Sequence, residues 1–141
     1  MTTAHRPFKR ALDRLHGAGL RPTRQRLGLA RLLFEGCDRH VTAEQLHGEA
    51  VSADLPVSLA TVYNTLNQFT AAGLLREVVV EAGKSYFDTN TSDHHHFFLE
   101  NTGRLEDIPG DHLAIQNLPS APTGTRIARV DVIVRLVEDG E

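Results

Sequence analysis

Apolar residues in the first half of the chain recur at helical intervals, broken by residues that start and stop helices. Leu12 and Leu15 lie on one side of a segment from Arg6 to Ala18, and Gly17 and Gly19 suit its end. Leu27, Ala30, Leu33 and Phe34 repeat that spacing behind Thr23, a residue able to cap a second helix that Gly36 closes. Thr42-Ala43-Glu44-Gln45 is a capping box, with Val41 and Leu46 at the positions of a hydrophobic staple. Ser58 repeats the device with Val57 and Val62, while Pro56 keeps Leu55 out of the helix. Leu59, Val62, Leu66 and Phe69 then form an apolar stripe. Ala60, Tyr63, Asn64 and Asn67 line the opposite side with Thr61 beside them, and Gly73 ends the helix.

The period then shortens to that of strands. Leu75 to Val80 and Ser85 to Phe87 flank Glu81-Ala82-Gly83-Lys84 as a hairpin, and helices followed by a hairpin predict a winged helix-turn-helix. His94 to Glu100 and Arg104 to Ile108 read as strands around Asn101-Thr102-Gly103. Asp111 is placed to cap a short helix through Leu118, and Pro119, Pro122 and Gly124 make a loop. Ala128, Val130, Val132, Val134 and Leu136 alternate with Arg129, Asp131, Ile133 and Arg135, a half-buried strand. The fold class is α+β: a winged helix followed by a small α/β unit. A unit of about fifty residues is marginal alone, and a second copy of the chain is the simplest partner.

Of the 141 residues, 40% are apolar and 23% charged, which fits a folded soluble protein. No apolar run approaches the length of a membrane span, and the basic N-terminus lacks the apolar core of a signal peptide; the expectation is a cytoplasmic protein. The single Cys37 excludes an internal disulfide and reads as a structural thiol. The net charge of −3 conceals +4 over residues 1–76 and −7 over residues 77–141, so the basic half is suited to a polyanion.

No phosphate-binding glycine loop or nucleophile elbow is present. The polar face of the fourth helix suits DNA better. Asn64 and Asn67 can donate and accept, Ser58 and Thr61 can bond bases or phosphates, and Tyr63 can touch a thymine methyl. Arg21, Arg24 and Arg26 are placed to meet flanking phosphates of double-stranded DNA. His94-His95-His96 is a biased tract; in a strand His94 and His96 face one way and His95 the other. With Asp88, Asp93 and Asp107 nearby in sequence or across a hairpin, the donors suit Zn²⁺, Fe²⁺ or Mn²⁺, and histidine alone suits haem iron. Two rival functions are a small metal-dependent enzyme and a metal-independent winged-helix repressor.

Gly19-Leu20-Arg21-Pro22-Thr23-Arg24-Gln25-Arg26, His40-Val41-Thr42-Ala43-Glu44 and Leu59-Ala60-Thr61-Val62-Tyr63-Asn64-Thr65-Leu66 resemble the ferric uptake regulator family. Gly83-Lys84-Ser85-Tyr86-Phe87-Asp88 and the histidine tract extend the resemblance over residues 16–136. Val57 to Asn67 and the uninterrupted histidines are similar to its iron response regulator branch. The resemblance implies a DNA-binding winged helix over 1–87, a hinge over 88–93, and an α/β dimerisation and metal- or haem-sensing domain over 94–141. It implies a homodimer on a palindromic operator, controlling iron and haem genes. Carried over, the metal ligands are His40, Asp88, His94, His96 and Asp107, with a second set at Asp93, His95, His112 and Asp131. The family's C-x-x-C zinc pair is replaced here in the region of Leu99 and Thr102, so that zinc is expected to be absent. The branch's Cys-Pro haem motif is missing as well, which leaves haem to the histidines.

Overall fold

Three capped helices set the frame of the first unit. Thr23 Oγ1 accepts from the Arg26 amide at 3.2 Å and starts α2 (Arg24–Phe34). Thr42 and Gln45 exchange both bonds of the capping box at the head of α3 (Ala43–Ser52). Ser58 Oγ accepts from the Thr61 amide at 3.1 Å ahead of α4 (Leu59–Ala71). Each bond satisfies an amide that the first helical turn leaves without a partner. Gly73, at φ 81°, lets the Leu74 amide reach back to the Phe69 carbonyl at 2.9 Å and ends α4.

The computed structural model describes residues 9–81 and 83–140. α1 is Lys9–Gly17; the stretch from Arg6 to Phe8 expected to open it lies outside the described residues. The chain divides into two compact units, Met1–Thr91 and Ser92–Glu141. In the first, Leu15, Leu29, Leu33, Leu46, Val62, Leu66 and Phe69 are fully buried, and the Phe34 and Phe69 rings lie 6.2 Å apart. Leu59, expected in this stripe, stands 36% exposed at the start of α4, while Val62 in the same turn is fully buried.

A three-stranded antiparallel sheet completes the unit, in the order β1 (His40–Val41), β3 (Lys84–Asp88), β2 (Arg76–Glu81). Val78 and Val80 point inward while Val79 is exposed, the alternation of a strand with one covered face. Four helices and this sheet make the winged helix.

The second unit is a three-stranded sheet in the order β5 (Arg104–Ile108), β4 (His95–Leu99), β6 (Ile133–Leu136). β4 pairs antiparallel with β5 through the turn at Gly103 and parallel with β6. The architecture is α+β. Two expectations are corrected. No helix forms between Asp111 and Leu118, where Ile115 and Leu118 are exposed; a segment that short needs tertiary packing of its apolar side to be helical. The last strand is shorter than the alternation suggests: pairing begins where the Val132 carbonyl accepts from the His96 amide, and Ala128 to Asp131 have no strand beside them among the described residues.

Candidate functional site

In the first unit, two donors meet across one ladder. His40 opens β1 and lies opposite Asp88, the last residue of β3. Asp88 is 1% exposed, and its Oδ1 accepts from the Asn90 amide at 2.9 Å, which fixes the carboxylate in a local turn. The ladder is extended by Thr89, whose amide donates to the Arg39 carbonyl and whose Oγ1 accepts from the Arg39 amide, both at 2.9 Å. Arg39 in turn grips Glu49 of α3 through both guanidinium termini, at 2.7 and 2.5 Å.

In the second unit, three donors converge. His96 lies opposite Asp107 in the β4–β5 register. Asp107 Oδ1 stands 3.3 Å from Nε2 of both His94 and His96, whose ring centroids are 4.5 Å apart. Both rings are buried. His94 Nδ1 lies 2.7 Å from the Ser92 carbonyl oxygen, which can only accept, so Nδ1 carries a proton. With Nδ1 turned to that carbonyl, Nε2 is the ring atom that can ligate a cation beside the carboxylate.

His95 points the other way. Its Nδ1 accepts from the Val132 amide at 3.1 Å, which ties the ring to the residue just before β6. Asp131 pairs with Arg129 at 2.9 Å, His112 is exposed 3.7 Å from Asp111, and Asp93 is exposed. Among the described residues, no cluster of three donors within reach of one ion includes Asp93, His95, His112 or Asp131.

The polar face of α4 presents Tyr63, Asn64 and Asn67 to solvent. Ser58 and Thr61 are occupied with each other: Ser58 Oγ donates to Thr61 Oγ1 at 2.9 Å while capping the helix. Arg21 and Arg24 are exposed. Arg26 is engaged within the fold, since its guanidinium donates to Gln68 Oε1 at 3.1 and 3.3 Å and to the Arg21 carbonyl at 3.0 Å. It ties α2 to α4.

Glu44, read from sequence only as part of a capping box, accepts from the Tyr63 hydroxyl at 2.5 Å. That bond, with one from its own backbone amide, holds the Glu44 carboxyl below its usual range and pushes the Tyr63 phenol up. At a separation of 19 positions, no periodic signal in the sequence pairs them.

A model of the ferric uptake regulator family matches residues 17–135. The chain is 35% identical over 102 residues to a peroxide-responsive repressor, PerR, of Staphylococcus aureus, covering 72% of this chain and 68% of that protein. It is 34% identical over 123 residues to the peroxide operon regulator of Bacillus subtilis, covering 86% and 83%. Among solved structures, the ferric uptake regulator of Pseudomonas aeruginosa with manganese aligns with a TM-score of 0.70 at 25% identity, over 92% of this chain and 98% of that one.

Proposed function

The chain belongs to the ferric uptake regulator family of metal-responsive transcriptional regulators, which are not enzymes, and from that premise we propose a repressor of iron-homeostasis genes that binds DNA as a homodimer in the cytoplasm. Among the described residues no helix is long and apolar enough to cross a membrane. The sensing ligand in this reading is a divalent metal. The observation that carries it is the convergence of His94 and His96 on one Asp107 oxygen, two imidazoles and a carboxylate. In this reading His40 and Asp88 supply two further donors to the ion held by His96 and Asp107, with His94 beside them. Mixed nitrogen and oxygen donors suit Fe²⁺, Mn²⁺ or Zn²⁺. Drawing ligands from both units would bias the hinge over 88–93, and with it the fit of two winged helices to the half-sites of a palindrome.

Haem, the ligand of the iron response regulator branch, is supported less. Burial of His94 and His96 leaves little room for a macrocycle, and His95 is tied to Val132. The identity to peroxide-responsive relatives favours a second reading, in which the metal-loaded protein responds to peroxide. The winged helix reads the operator through Tyr63 and Asn64 of α4, with Arg21 and Arg24 on phosphates. Exposed Ile115, Leu118, Ile127 and Val137, with the open edges of the β5-β4-β6 sheet, support a second copy as partner.

The test is operator binding by the purified protein stripped of metal, then reloaded with Fe²⁺, Mn²⁺ or Zn²⁺, with and without hydrogen peroxide, and with haem. A metal-dependent change in affinity sustains the reading. Loss of that change on adding peroxide moves the physiological signal to peroxide. Affinity indifferent to every metal leaves a plain winged-helix repressor.

A further inference from the structure

The Glu44–Tyr63 bond joins the first turn of α3 to the exposed face of α4. The two backbones are fixed relative to each other: Ala43 and Leu46 anchor α3 in the core, and Val62 and Leu66 anchor α4. Both partners reach solvent, Tyr63 with 39% of its surface exposed. A tyrosine hydroxyl carries one proton, which it can donate, and lone pairs, which accept. Here the proton points at a carboxylate at 2.5 Å, the separation of a strong charge-assisted bond.

A phenol so engaged can no longer donate. It cannot contribute a hydrogen bond to a phosphate oxygen, to guanine O6 or N7, or to thymine O4, all of which only accept. Its lone pairs remain, and in the major groove the groups that donate to them are the exocyclic amines of adenine and cytosine. We propose that Glu44 is a positioning residue for DNA recognition: by holding the Tyr63 proton it makes Tyr63 read the groove as an acceptor, selecting adenine or cytosine at one operator position. The proposal rests on α4 being the reading helix. Glu44 also places a negative charge beside that helix, which opposes sequence-independent attraction to the phosphate backbone.

The test is selection from a randomised double-stranded DNA library by the wild type and by Glu44→Ala, Glu44→Gln, Tyr63→Phe and Tyr63→Ala, in the metal state that binds DNA more tightly. Wild type should require adenine or cytosine at one position of each half-site. Glu44→Ala and Tyr63→Phe should each relax that preference by about tenfold, the loss of one base contact. The double variant should lose no more than either single one, because the two residues act through one bond. Glu44→Gln keeps an acceptor oxygen and should retain the preference while binding random DNA more tightly. An unchanged preference in Glu44→Ala beside an altered one in Tyr63→Ala overturns the role of Glu44 and leaves α4 as the reader. An unchanged preference in Tyr63→Ala removes the reading of α4 and the proposal with it.

A readout without DNA checks the bond itself. The chain has two tyrosines, so Tyr86→Phe leaves Tyr63 alone in a tyrosinate absorbance titration. In that background Glu44→Ala should move the titration down towards an ordinary phenol. No movement overturns the proposal.

Discussion

His40 stands directly opposite Asp88 in the β1–β3 ladder, so a two-residue strand brings together donors that lie 48 positions apart in the chain. If this pair shares an ion with His94, His96 and Asp107, each ligand removed weakens the same equilibrium. His40→Ala and His96→Ala should then lower affinity for Mn²⁺ or Zn²⁺ by similar factors, at least about tenfold, in calorimetric titrations. Wild-type affinity in His40→Ala would confine the site to the second unit.

Thr89 supports that pair from behind. It is 7% exposed, and its hydroxyl accepts from the Arg39 amide one residue before His40. Thr89→Val preserves shape but leaves that part-buried amide without its acceptor, a loss of about 1–3 kcal/mol. Thermal unfolding should show the destabilisation, and metal affinity should fall although no ligand is touched. A variant as stable as wild type would mean that water replaces the hydroxyl.

The legible part of this chain is local. Thr23, Thr42 and Ser58 announce their helices because a cap and the amide it serves lie within three residues. The period of two through the histidine tract, which leads into β4, is enough to put His94 and His96 on one side and His95 on the other. What sequence could not convey is set by tertiary contact. Glu44 meets Tyr63 and Arg26 meets Gln68 through helix packing, at separations of 19 and 42 residues. The segment from Asp111 to Leu118 carries helical signals but leaves Ile115 and Leu118 exposed, without the packed apolar face that a short helix needs. The pairing of His40 with Asp88 follows from a register that no local pattern encodes, and only the family resemblance pointed to it.

Arg26 shows why exposed basic residues near a DNA-binding face need separate tests. Its guanidinium already serves Gln68 and the Arg21 carbonyl. Arg26→Ala should therefore destabilise the first unit by about 1 kcal/mol through the lost ties between α2 and α4. Gln68→Ala, which removes no charge, should reproduce part of that loss. Arg24→Ala should leave stability unchanged, weaken specific and random DNA about equally, and flatten the salt dependence, as a phosphate contact does. Equal melting temperatures for wild type and Arg26→Ala, with a flattened salt dependence in the variant, would instead make Arg26 a phosphate ligand.

The Glu44–Tyr63 bond also fixes a pH dependence, and the sign follows from the two shifts. Glu44 is held below the ordinary carboxyl value of 4.5, first by the Tyr63 hydroxyl, so its contribution is present above that value and is lost as pH falls through the lowered one. Tyr63 is raised above the ordinary phenol value of 10.0, first by the same bond, so its contribution is present below that value and is lost as pH rises through the raised one. Other groups titrate over the same range, so the informative quantity is the difference in melting temperature between wild type and Tyr63→Phe. That difference should be constant from about pH 5 to about pH 9, with both ordinary values outside the window, and should shrink at both extremes. High salt should reduce it, because the pair is open to solvent. A difference that persists unchanged well into acid would show that the hydroxyl has another acceptor and that Glu44 does not hold it.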